Sequence, residues 1–170
     1  MKDTTPIYFH SAAYANEHGE LDQYHASHRA NIACKEAIEQ AIADNYRDNR
    51  LGPACVQQVL QEFAPGRIFY VLANTVRQKD YDGRISRDNK AWAQTVPVCE
   101  DKDGFGHDRN IYFIVDRCNP GLTDLFLAQA RRECAQLQDQ KPSVRDSLNK
   151  GTGQQAAYSD KPKMKKEQER

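Results

Sequence analysis

The sequence has no apolar run long enough to cross a bilayer, which takes about 18 or more consecutive apolar residues. Its opening, Met1-Lys2-Asp3-Thr4-Thr5-Pro6, lacks the basic region and apolar stretch of a signal peptide, so a cytoplasmic location is expected. Cysteine is scarce and irregularly spaced, with five in 170 residues and no CxxC pair. An odd, unpatterned set does not make a disulfide framework and points to free thiols. There is no glycine-rich phosphate loop, no GxSxG elbow and no HExxH pair, so the enzyme classes that rest on those motifs are excluded. Net charge is missing too, 24 basic residues facing 24 acidic ones.

That neutrality conceals an uneven distribution. Residues 1–138 carry 16 Lys and Arg against 19 Asp and Glu, a balance of −3, and 139–170 carry 8 against 5, a balance of +3. A mildly acidic body is not the usual face of a dedicated nucleic-acid-binding domain. The hydrophobic fraction of 39% is ordinary for a globular chain, whereas the mean hydropathy of −0.86 is low and implies a solvated polar segment. One globular domain over 1–138 and a disordered charged tail over 139–170 account for both.

Within the body the periodicity is mostly helical. Ser11 is placed to cap a short helix that Gly19 ends, and Asp22 opens a long one in which Ile32, Ala33, Ala37, Ile38, Ala41, Ile42 and Tyr46 recur at helical steps. A third helix follows Gly52-Pro53 and breaks at Pro65-Gly66. Ile68, Leu72 and Val76 mark a fourth, despite a strand-like composition. Ser86 caps a short helix carrying Trp92, and the last helix begins after Asn119-Pro120-Gly121. Ile111 to Val115 reads as the clearest strand, with Val96 to Val98 or Ile7 to Phe9 as partners. The expected fold is α+β, predominantly helical with five to six helices and a small two- or three-stranded antiparallel sheet.

Three blocks carry a family resemblance: Tyr70-Val71-Leu72-Ala73-Asn74-Thr75, Gln78-Lys79-Asp80-Tyr81-Asp82-Gly83-Arg84, and Ser86-Arg87-Asp88-Asn89-Lys90 with Trp92-Ala93. With Asn31 to Ile38 and Pro120-Gly121-Leu122, they resemble an uncharacterised domain family carried on conjugative elements and prophages of Gram-positive gut anaerobes. The resemblance covers roughly residues 7–135 and brings no activity with it. It implies a setting in which small accessory proteins counter host restriction and CRISPR nucleases.

The one local basic-aromatic cluster is Arg77, Lys79, Tyr81, Arg84, Arg87, Lys90 and Trp92. Arg and aromatic residues anchor protein interfaces, and the same mix contacts phosphates and stacks on bases. Asp80, Asp82 and Asp88 cut its net charge, and turn hydrogen bonds are the plainer reading of the whole stretch. The spacing from Asp80 to Asp88 is wrong for a calcium loop. Cys99, His107 and Cys118 would converge on a structural zinc if Val98 paired with the strand at Ile111, with Cys134, His10 or water as fourth ligand. His25 and His28, about one helical turn apart, form a second candidate pair. The plain alternative for all of these is packing or surface chemistry. Cys34 beside His25 or His28 could mimic a nucleophile and base, but a thiol inside a long helix is ordinarily a small buried side chain.

The expected function is therefore a non-catalytic binding protein of a mobile genetic element, an anti-defence inhibitor that contacts a host nuclease. The alternatives are a nucleic-acid-binding accessory protein of element transfer and a small enzyme.

Overall fold

The computed structural model describes residues 2–140. The chain divides into two compact units, Met1–Arg131 and Arg132–Arg170, and the first contains every element from α1 to the start of α6. Among the described residues there are six α-helices, one 3-10 helix and one two-stranded antiparallel sheet, a mostly helical α+β fold.

Local chemistry accounts for most of the helix ends. The Ser11 hydroxyl accepts from the Tyr14 N–H at 3.1 Å and opens α1 (Ala12–His18), and Gly19 closes it at φ 70°, a left-handed turn that glycine adopts without penalty. Helix α2 (Leu21–Asn45) runs through the centre and packs on α1, α3 (Cys55–Leu60) and α4 (Pro65–Gln78). Its inward face is rotated from the expected stripe. Ala33 is exposed, Ile32 and Ala37 are partly buried, and the core side is built from Tyr24, Ser27, Asn31, Cys34, Ile38 and Ala41. Polar Ser27 and Asn31 can face inward because a cation in α4 meets them there.

That cation is Arg67, almost fully buried. Its guanidinium donates to the Ser27 carbonyl at 3.2 Å and hydroxyl at 3.1 Å, to Asn31 Oδ1, and to the carbonyls of Thr5 at 2.8 Å and Pro6 at 3.3 Å. Asp3 stands 3.9 Å from its Nε, which finds no hydrogen-bond partner among the described residues. The N-terminal segment is thereby tied to α2 and α4. Around Arg67, α4 is buried on nearly every side, its apolar residues Ile68, Val71, Leu72 and Val76 in the core and its polar Arg67, Asn74 and Thr75 also covered, so that little of it faces solvent. Each of the four apolar side chains contributes about 1.5–3 kcal/mol by leaving water.

The sheet lies elsewhere than expected. Strands β1 (Tyr46–Arg47) and β2 (Arg50–Leu51) form a minimal hairpin, Tyr46 opposite Leu51 and Arg47 opposite Arg50. Asp48 at φ 52° and Asn49 at φ 63° fill the two left-handed positions of a tight turn, which Asp and Asn tolerate best among residues with side chains. Ile111 to Val115 is not a strand. Residues Arg109–Phe113 form the 3-10 helix, opened by Asp108, whose carboxylate accepts from the Asn110 N–H at 2.9 Å.

Side chains, not a neighbouring strand, satisfy the backbone of that segment. Asn74 donates to the Asn110 carbonyl at 3.0 Å, the Val115 N–H donates to Thr75 Oγ1 at 3.0 Å, and Thr123 donates to the Val115 carbonyl at 3.1 Å. Phe113 and Val115 then enter the common core with Ile38, Leu72, Phe126 and Leu127. Helix α5 (Arg87–Ala93) is capped by Ser86, and α6 spans Pro120–Gln140. The tail expected over 139–170 lies, except for its first two residues, outside the described residues.

Candidate functional site

The basic-aromatic cluster occupies the end of α4, the following turn and α5, which packs on α4. Several of its members hold the framework. Arg77 donates to the carbonyls of Ala93 at 3.1 Å and Val96 at 2.8 Å, closing the far end of α5. Lys79 donates to the Arg117 carbonyl at 2.9 Å. Arg84 forms a two-pronged pair with Asp82 at 3.0 and 2.9 Å, and these bonds hold the Asp82 carboxyl down at about 2. Trp92 meets Phe69 edge to face at 5.4 Å, with the Arg131 guanidinium 5.7 Å from its ring centre. The near end of α5 is pinned through Asp124, whose carboxylate accepts from the Ser86 N–H at 2.9 Å and from Asn89 Nδ2 at 2.7 Å.

Tyr81, Arg87 and Lys90 stand apart from that framework. Tyr81 is 79% exposed and Arg87 is exposed, and neither side chain makes a hydrogen bond or ion pair among the described residues. Lys90 is partly buried beside them. Asp82 and Ser86, within the stretch from Asp80 to Asp88, are committed to Arg84 and to the α5 cap.

The metal candidates are distributed differently. Cys99 is partly buried and its thiol donates to the Glu100 carbonyl at 3.2 Å, His107 is exposed with Nδ1 3.0 Å from the Asp103 carboxylate, and Cys118 is exposed. Among the described residues no group of three or more His, Cys, Asp or Glu is placed to hold a metal ion, and so Cys99, His107 and Cys118 are not assembled into such a site. His25 is exposed on α2 while His28 is partly buried, its ring parallel to that of Tyr24 at 5.7 Å. Cys34 is fully buried, and burial pushes its thiol up to about 12, too high to supply a nucleophilic thiolate near neutral pH.

A polar cleft that the sequence does not announce lies between the N-terminal segment, α2, α4 and the loop before the 3-10 helix. It is lined by Tyr8, Tyr24, His28, Asn31, Tyr70 and Asn110 among others, and its enclosed part measures about 20 Å³, room for roughly one water. One side rests on Asp101, a buried carboxylate that accepts from the Tyr24 hydroxyl, from the Ala12 N–H at 3.0 Å and from Arg109 at 3.3 Å. Tyr8 donates to Glu20 at 2.7 Å. Desolvation, reinforced by Glu20, pushes the Tyr8 phenol up to about 12, and burial does the same to Tyr70. Burial also holds His28 below the usual imidazole range, against the opposing pull of Asp101, so the ring is neutral at pH 7. Tyr24, Ser27, His28 and Asn31 all fall within two turns of α2. Polar residues at core spacing are the one signal in the sequence that could have drawn attention to it.

No helix of the described residues is long and apolar enough to cross a membrane. In comparison with known proteins, residues 7–135 match the model of a family described as "Protein of unknown function (DUF3849)". No curated protein and no solved structure matches the chain.

Proposed function

This chain belongs to that family, and we propose from its geometry that it is a non-catalytic binding protein presenting the turn between α4 and α5 to a protein partner. The observation that carries this reading is the contrast inside the turn. Arg77, Asp82, Ser86 and Asp124 fix its backbone, and Tyr81 and Arg87 project beside it with their hydrogen-bonding groups unused among the described residues. Exposed Tyr and Arg on a rigid support are favourable interface anchors, because little conformational freedom is lost when they are covered. In its sharpest form the partner is a host defence nuclease and the protein an anti-defence inhibitor carried by a mobile element. The resemblance of the central blocks supplies that setting, and the acidic balance of 1–138 suits a basic nucleic-acid channel.

The test is affinity capture by the full chain from host lysate, with and without nuclease treatment, beside the Tyr81→Ala/Arg87→Ala double variant. A partner that survives nuclease treatment, is lost with the double variant and has its DNA cleavage inhibited by the purified protein supports the reading. Capture that falls steeply with salt and disappears after nuclease treatment would move the protein to nucleic-acid binding during element transfer. Equal capture by the double variant would sink the assignment of this surface.

A further inference from the structure

The segment between α5 and the 3-10 helix is tied to the fold through alternate residues of its backbone. Residues 97–101 make no helix, strand, turn or bend, so the chain runs straight there. Arg77 donates to the Val96 carbonyl at 2.8 Å just before it, Asn110 Nδ2 donates to the Cys99 carbonyl at 2.9 Å, and the Arg109 N–H donates to the Asp101 carbonyl at 2.8 Å. Between these anchors the N–H and carbonyl of Val98 and the N–H of Glu100 make no hydrogen bond among the described residues. In an extended chain the backbone groups of residues two apart point the same way and those of neighbours point oppositely. Cys99 and Asp101 are turned to the fold, which leaves partly buried Val98 and exposed Glu100 turned away from it.

Val96 to Val98 has the residue types of a strand, and Ile111 to Val115, its expected partner, is taken up by the 3-10 helix and by side-chain bonds. A strand-like segment with a row of unused N–H and C=O groups is the edge that extended peptides join. Two spaces adjoin it. A mostly apolar groove of about 570 Å³ is walled by Phe9, Arg77, Pro97, Val98 and Cys99. Its outer wall is firm, because Phe9, although 47% exposed, packs edge to face on Tyr70 at 5.7 Å. A polar pocket of about 280 Å³ shares Arg77, Val98 and Cys99 with the groove and adds Gln78, Gln94 and Lys102 among others. An added strand turns successive side chains to opposite faces, so a peptide that alternates apolar and polar residues suits both spaces.

We propose that residues 97–101 are an open strand edge that takes an extended peptide segment of a protein partner, paired to the backbone of Val98 and Glu100 with an apolar side chain in the Phe9 groove. The partner's backbone replaces water on those groups, and its apolar side chain supplies affinity that a bare two-stranded pairing lacks. The edge does not use Tyr81 or Arg87, so either assignment can fail without the other.

The probe is the blocked peptide acetyl-Thr-Val-Thr-Val-Thr-amide, titrated into the full-length ¹⁵N-labelled protein beside the same peptide N-methylated at every residue. Saturable shifts of the Val98 and Glu100 backbone amide signals, with slowed exchange of both protons, are the expected result. The N-methylated peptide keeps the side chains and loses the pairing, so it should bind about tenfold more weakly or not at all. Val98→Asp, which puts a charge in the groove, should weaken the parent peptide about tenfold, and Phe9→Ala, at a more exposed position, is the second variant and should weaken it similarly. The Tyr81→Ala/Arg87→Ala protein should bind it unchanged. No shift at Val98 and Glu100, equal binding of the N-methylated peptide, unchanged affinity in folded Val98→Asp and Phe9→Ala proteins, loss of binding in the Tyr81→Ala/Arg87→Ala protein, or the same shifts on concentrating the protein alone would overturn the proposal.

Discussion

The cleft and the α4–α5 turn use their polar groups in opposite ways. In the cleft the polar groups bind one another across elements, Ser27 and Asn31 with Arg67 and Asp101 with Tyr24, Ala12 and Arg109. In the turn the framework groups are saturated and the unspent ones, on Tyr81 and Arg87, stand in water. Water can serve an exposed guanidinium fully but reaches the cleft in the space of about one molecule. The cleft's bonds therefore hold the fold's own segments together, and the groups left over in the turn are open to a large partner that excludes water.

The largest expected effect is the loss of the residue that creates the contrast. Arg67→Met leaves the carbonyls of Thr5, Pro6 and Ser27 and the Asn31 oxygen without their donor, and should cost about 3 kcal/mol or more of stability, read as a lower urea midpoint. Next comes Asp101→Ala, which strips the acceptor from Tyr24, Ala12 and Arg109 and should cost about 2–3 kcal/mol in the same measurement.

Asp116→Asn should instead stabilise. Asp116 holds φ 43°, which Asn tolerates, and one of its carboxylate oxygens is buried without a partner among the described residues. Burial, then Glu39, raises its carboxyl from 3.8 to about 6, Lys35 opposing. The folded state thus binds that proton more tightly than the unfolded state, and stability falls as pH rises from 3.8 through about 6. At pH 7 the substitution should gain about 1–2 kcal/mol after discounting for solvent screening, and the gain should vanish below pH 3.8.

A smaller, oppositely signed dependence belongs to His28. Its lowered folded value means the unfolded state takes the proton first, so its contribution is intact above about pH 6.5 and declines below it. Urea titrations of His28→Phe should lose that decline. Smallest of all, Tyr81→Ala/Arg87→Ala should change thermal stability by no more than about 0.5 kcal/mol, because neither side chain is used by the fold.

What could be read in the sequence follows the range over which each signal acts. Ser11, Gly19 and Ser86 act within a turn of their own position, and they delimit α1 and open α5 as expected, whereas Pro65, expected to break the third helix, opens the fourth after α3 has ended at Leu60. The apolar run Ile111 to Val115 carries no such local marker, and its conformation depends on Asn74, Thr75 and Thr123 from other elements. The hairpin had a local signal in Asp48-Asn49, obscured because its strands are two residues each. For the sites, the turn was visible as a cluster of residue types, though not which of them were already engaged. The cleft was not, because Asp101 and Arg67 meet α2 from 77 and 36 to 40 residues away in the chain.

The clamping of α5 has a consequence for observing this protein in motion. Seven residues are too few for an isolated helix to persist in water, yet this one is held at its start by Asp124 of α6 and at its end by Arg77 of α4. A fluorophore attached on a short tether at Arg87 would therefore tumble at the rate of the whole folded unit, and its anisotropy would register a partner's added mass and not the wobble of a surface loop.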